Sequence, residues 1–170
     1  MTSAGRASTG VTLLAGLALL AGCGDDGGSS AAAATAPSIG VQAGGDEITV
    51  DPTQYCLAGT GQRYQVTAPI IEVTPDTTIR LTVPAAVAAA GWGVQVFDED
   101  LEEMIGEVDV PEGATTYDEI TTSDVVPPTF YLVIVQNSDA EACSGLSGAW
   151  PVGFIRTDGD VASTSPTPSG

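Results

Sequence analysis

The run Thr77-Thr78-Ile79-Arg80-Leu81-Thr82-Val83 decides the fold class of this chain. Ile79, Leu81 and Val83 alternate with Thr78, Arg80 and Thr82, so one face is apolar and the other polar. Side chains on a strand repeat every two residues, and strict alternation marks a half-buried strand. The same period recurs downstream. Trp92 to Phe97 places Trp92, Val94 and Val96 on an inner face, and Met104 to Val110 alternates with the acids Glu103, Glu107 and Asp109 outward. Phe130 to Val135 is apolar on both faces and predicts the central, most buried strand. Trp150 to Ile155 reads as the closing strand, and Glu47 to Val50 and Thr115 to Ile120 complete the set. A further β-rich run, Arg63 to Val73, is interrupted by Pro69, where an edge or a strand change is expected.

Seven or eight strands with turn signals about every 10 residues predict an all-β chain folded as a single antiparallel, immunoglobulin-like β-sandwich over residues 46–157. Ala85 to Ala90 favours helix but is bracketed by Pro84 and Gly91, so it predicts one or two turns between strands. Trp92 and Trp150 each begin a strand and read as core anchors.

The flanks have a different composition. Gly24 to Gly45 is rich in Gly, Ser and Ala and predicts a flexible tether, with a mean span of roughly 25 Å by coil scaling. Residues 158–170 end in Ser-Pro-Thr-Pro-Ser-Gly and predict a disordered Ser/Thr/Pro tail. Ahead of the tether, Arg6 precedes an apolar run, Val11 to Leu20, and then Leu20-Ala21-Gly22-Cys23. A membrane span needs about 20 apolar residues; this run is shorter and is broken by Gly16. The layout is that of a lipoprotein signal peptide, residues 1–22, with Cys23 as the lipidation site and residues 23–45 as lipidated Cys and tether. Two acyl chains on Cys23 suffice for stable anchoring. The expected location is the extracytoplasmic face of the cell membrane, held through the lipid.

Removing Cys23 from the count of three leaves Cys56 and Cys143. Outside the cytoplasm such a pair is expected to form a disulfide, worth about 4–5 kcal/mol in the loop-entropy model.

The chain has 22 acidic residues, four Arg, no Lys and no His, for a net charge of −18. Loss of Arg6 with the signal peptide makes it −19. Arg63, Arg80 and Arg156 cannot build the basic surface that a nucleic acid requires, so no nucleic-acid partner is expected. Without His or Lys the usual bases for a Ser or Cys nucleophile are missing, as are the usual zinc and copper ligands. No Gly-rich phosphate loop precedes a helix. The chain is therefore expected to be no enzyme and to carry no cofactor.

Carboxylates are the remaining resource, densest in Asp98-Glu99-Asp100-Leu101-Glu102-Glu103. Asp98, Asp100 and Glu102 occupy positions 1, 3 and 5 of an EF-like loop, but Glu103 stands where that loop needs Gly and no helices flank it. They remain candidate ligands of a calcium site of another kind. The alternative is a solvated hairpin tip whose like charges discourage edge-to-edge association.

The run Ile48-Thr49-Val50-Asp51-Pro52-Thr53-Gln54-Tyr55-Cys56 resembles the DUF2771 family of small actinobacterial lipoproteins, a domain of unknown function. Val83-Pro84, Ala86-Val87, the strand opening at Trp92, and Gly148-Ala149-Trp150-Pro151-Val152 are similar to the same family. The resemblance spans about Ile48 to Ile155. It implies an envelope lipoprotein and brings with it no activity and no binding residues. The expected function is a membrane-anchored, non-enzymatic binding or scaffolding module of the cell envelope, with another envelope protein as partner. The alternative is a small-ligand or calcium-binding lipoprotein.

Overall fold

Alternating burial builds two sheets that share one core. The computed structural model describes residues 35–137 and 141–157, all within one compact unit. The elements run β1 (Ile39–Ala43), β2 (Asp46–Val50), β3 (Gln54–Leu57), β4 (Thr60–Arg63), β5 (Ile70–Val73), β6 (Thr78–Thr82), α1 (Ala85–Ala90), β7 (Trp92–Phe97), β8 (Met104–Asp109), β9 (Thr116–Thr121), β10 (Thr129–Gln136) and β11 (Ala149–Arg156). The smaller sheet has the order β2-β1-β6-β9. The larger has the order β4-β3-β11-β10-β7-β8, with β5 also on β11. The chain is an all-β sandwich.

The strands read from alternation behave as that pattern requires. In β6, Ile79 and Leu81 are fully buried while Thr78, Arg80 and Thr82 are exposed. In β7, Trp92, Val94 and Val96 face the core. Phe130, Leu132 and Ile134 of β10 meet them from the next strand, and Phe130 stacks on Phe154 of β11 at 5.3 Å between ring centres. Both Trp residues are core anchors whose N–H groups find carbonyls. Trp92 Nε1 donates to Ala114 O at 2.7 Å, and Trp150 Nε1 to Pro37 O at 2.9 Å. A buried indole N–H without an acceptor would lose its water at full cost.

Several expectations are corrected. There are eleven strands among the described residues, not seven or eight; β1, β3 and β4 are the additions. The domain also begins before Asp46. Ile39, Val41 and Ala43 of β1 are core residues, and β1 lies between β2 and β6. Its alternation, Ile39, Val41 and Ala43 against Gly40 and Gln42, is short and sits in a stretch of small residues, which is why it reads as tether. The tight turn between β3 and β4 has positive φ at both central residues, Ala58 and Gly59, the geometry of a primed hairpin turn. Tyr64 to Pro69 carries no strand. β5 starts directly after Pro69 and pairs with β11 in parallel, the exception in an otherwise antiparallel molecule. The most buried strand is β11 rather than β10. Ala149 through Phe154 are buried on both faces, and β10, β3 and β5 pair along the strand.

Helix α1 is one to two turns long, as its Ala-rich sequence predicts. Gly91, at φ 81°, ends it and turns the chain into β7.

Candidate functional site

Each sheet ends in an unpaired edge on the same side of the sandwich: β8 for the larger sheet and β9 for the smaller. Between these edges lies a cleft of about 570 Å³, within the range of ligand pockets, about 300–1,000 Å³. Val96 and Val108 line one wall and Ile120 the other, with Val125 and Pro127 at the end.

Both edges carry a bulge beside the cleft. On β8 the pairing with β7 jumps from Val96↔Gly106 to Phe97↔Met104, leaving Ile105 as the extra residue. On β9 the pairing with β6 jumps from Ile79↔Ile120 to Leu81↔Tyr117, so three β9 steps match two on β6. Bulges re-aim side chains and bend the strand that holds them. Ile105 and Glu119, from the two bulged stretches, both line the cleft.

The loop after β9 contributes Asp124, Val125, Val126 and Pro127 to the cleft, and three side chains fix it. Thr122 is fully buried; its Oγ1 donates to Thr74 O at 2.8 Å and accepts from Thr77 N–H at 3.1 Å. The carboxylate of Asp124 accepts from both the N–H and the hydroxyl of Thr121. The Arg156 guanidinium donates to the carbonyls of Thr122, Val125 and Val126. Guanidinium is suited to this task because it holds several donors in one rigid plane. A loop held so firmly has little ordering left to do when a ligand arrives.

The cleft is apolar within and acidic at its rim. Glu107 comes from β8 and Glu119 from β9, and no basic residue lines it. Tyr117 Oη donates to Glu119 Oε2 at 3.4 Å. Burial first, and the Glu119 charge second, raise the Tyr117 phenol above its ordinary pKa. The ion pair among the described residues, Arg80 with Asp118 at 3.0 Å, lies half-exposed.

A family model described as protein of unknown function (DUF2771) matches residues 32–138. The chain belongs to the DUF2771 family. No curated protein and no solved structure matches it. The DUF2771 match begins ahead of β1 and contains every cleft-lining residue, and it ends before Cys143 and β11.

The residues singled out in this DUF2771 sequence fare differently. Cys23 lies outside the described residues, as do residues 1–22, expected to be a signal peptide, and residues 158–170. Cys56 and Cys143 form the disulfide, with Cα atoms 5.7 Å apart. It ties β3 to the turn at 141–145, and β4 packs against the same turn so closely that a Cβ on Gly61 would sit 2.6 Å from Cys143 O. Asp98, Asp100 and Glu102 do lie at a hairpin tip between β7 and β8. Asp98 Oδ1 accepts from the N–H groups of Glu102 and Glu103, so it shapes the turn. Among the described residues no three carboxylate, His or Cys side chains come together in a way that could hold a metal ion. Leu101 of that tip overhangs the outer face of the larger sheet beside Phe97, Val133 and Val135. The cleft escaped sequence reading because it is assembled from two edge strands that never pair. Its nearest local signal was the broken alternation at Met104-Ile105.

Proposed function

We propose that this protein is a non-enzymatic binding module, held on the extracytoplasmic face of a cell membrane by a lipid on Cys23 and capturing a small, largely apolar ligand in the cleft between β8 and β9. The observation that carries the reading is the cleft: mostly apolar inside and lined in part by a loop that Arg156, Thr122 and Asp124 fix. A preformed concavity favours ligand capture over a scaffolding role, which needs only a surface. The anchor rests on Leu20-Ala21-Gly22-Cys23. The absence of His and Lys removes the usual bases that activate a Ser or Cys nucleophile.

Two experiments test it in cells. Cys23→Ser should move the protein from the membrane fraction to the soluble one; retention at the membrane would remove the anchor. A photo-crosslinking residue placed at Ile105 should capture a small adduct that the same probe at Ile70, exposed on β5, does not. Equal capture at both positions, or none at Ile105, would remove the cleft as the binding site.

A further inference from the structure

We infer that the cleft between β8 and β9 takes an amphiphile with an apolar body and a single cationic head group. The inference rests on the proposed reading of the cleft as a binding site and adds the chemistry of its occupant. The interior offers Val96, Val108, Ile120 and Val125, which can bury hydrocarbon but can satisfy no polar group. These side chains give a polar head no partner, which places it toward the carboxylates of the lining. Glu119 stands there on the β9 wall, where it accepts from Tyr117, and Glu107 stands on the β8 edge, from which it also reaches the outer face beside Gln95 and Asp109; no cation lines the cleft beside them. Asp124 is already engaged with Thr121, and Arg156 with backbone carbonyls. A net charge of −18 repels anionic amphiphiles before they arrive and draws cationic ones in.

The same geometry argues against the other occupants of an open sandwich edge. An added β-strand needs a flat, regular edge, whereas both β8 and β9 are bulged here and β8 carries Glu107 and Asp109. A second copy docked by two-fold symmetry would set acidic rim against acidic rim.

The test uses the full chain with labelled Ile and Val methyl groups, followed by NMR. The probes are octyltrimethylammonium, octyl glucoside and octyl sulfate, each below its micellar concentration. Octyltrimethylammonium should shift the methyls of Val96, Ile105, Val108, Ile120 and Val125. It should bind roughly tenfold more tightly than octyl glucoside, with octyl sulfate weakest, as expected for two half-solvated charge contacts. Added salt, or E107Q with E119Q, should bring the three probes together. Both glutamates lie outside the core, and the unliganded methyl spectrum of the variant checks that the fold is kept. Equal binding of all three probes to the wild-type cleft would overturn the cationic head group and leave the cleft reading standing. No shift with any probe, or shifts confined to Val133 and Val135 on the outer face, would overturn both.

Discussion

Trp150 and Pro37 are joined by a hydrogen bond of 2.9 Å, from the indole N–H to the backbone carbonyl, across 113 residues of sequence. The bond fastens the chain just before β1 to the start of β11, and the Trp150 ring also meets Tyr55 edge-on at 5.9 Å. Trp150 is fully buried. Trp150→Phe removes the donor and part of the ring, leaving a void and a carbonyl without its partner. The expected cost is about 1–3 kcal/mol, which lowers Tm by about 4 °C per kcal/mol in a domain of this size. A Tm unchanged by the substitution would show that the carbonyl is hydrated and the ring dispensable.

The Cys56–Cys143 disulfide spans a sequence separation of 87 residues. Replacing both cysteines by Ala should lower stability by about 2–5 kcal/mol. Denaturant unfolding of the oxidised wild type against the double variant measures it. A loss well under 1 kcal/mol would mean that the packing of Gly61 on the 143–146 turn already holds this corner.

Thr122→Val keeps the shape of the side chain and deletes its hydroxyl. Thr74 O and Thr77 N–H then lose their shared partner in a fully buried position. The expected cost is about 1–3 kcal/mol. Arg156→Lys should fail in the same place, because one ammonium cannot reproduce a guanidinium fork on three carbonyls. Amide exchange in residues 122–126 should quicken in both variants. Unchanged exchange there would detach these residues from the fixing of the loop.

Tyr117 supplies a pH signature. Its phenol is raised above the ordinary value of 10.0, first by burial and then by the Glu119 charge and hydrogen bond. The folded state therefore keeps this proton longer than the unfolded chain does. The associated stability is full below the unfolded value near 10.0 and is lost as the pH climbs through the folded one. Glu119→Gln should lower the Tyr117 midpoint, read from its ring carbon shift, while burial still holds it above 10.0. A wild-type midpoint at or below 10.0 would contradict the placement of Tyr117 against Glu119.

The legible parts of the fold were those in which one face is buried and the other wet. β6 and β7 announce themselves because Ile79-Arg80-Leu81 and Val94-Gln95-Val96 alternate without a break. β1 obeys the same rule over five residues, but Gly40 and the Gly and Ser around it hide the period. β3 is half-buried on both faces, so Gln54-Tyr55-Cys56-Leu57 shows no alternation at all, and β4 is half-buried only at Gly61 and Gln62. The parallel pairing of β5 with β11 is a long-range event, and nothing local to Ile70-Ile71-Glu72-Val73 specifies the direction of its neighbour. The disulfide was within reach of counting cysteines. The cleft was not, because Val96, Tyr117 and Val125 come together only once both sheets stop where they do.

β11 pairs with β10, β3 and β5, and its Trp150 holds the chain ahead of β1. Among the described strands it also comes last in the chain, starting only at Ala149. The larger sheet therefore has no spine until residues 149–156 are in place, and loop closures this long are slow to form. The smaller sheet needs only β1, β2, β6 and β9 and can pair before β11 exists, so the two halves of the sandwich are committed at different times.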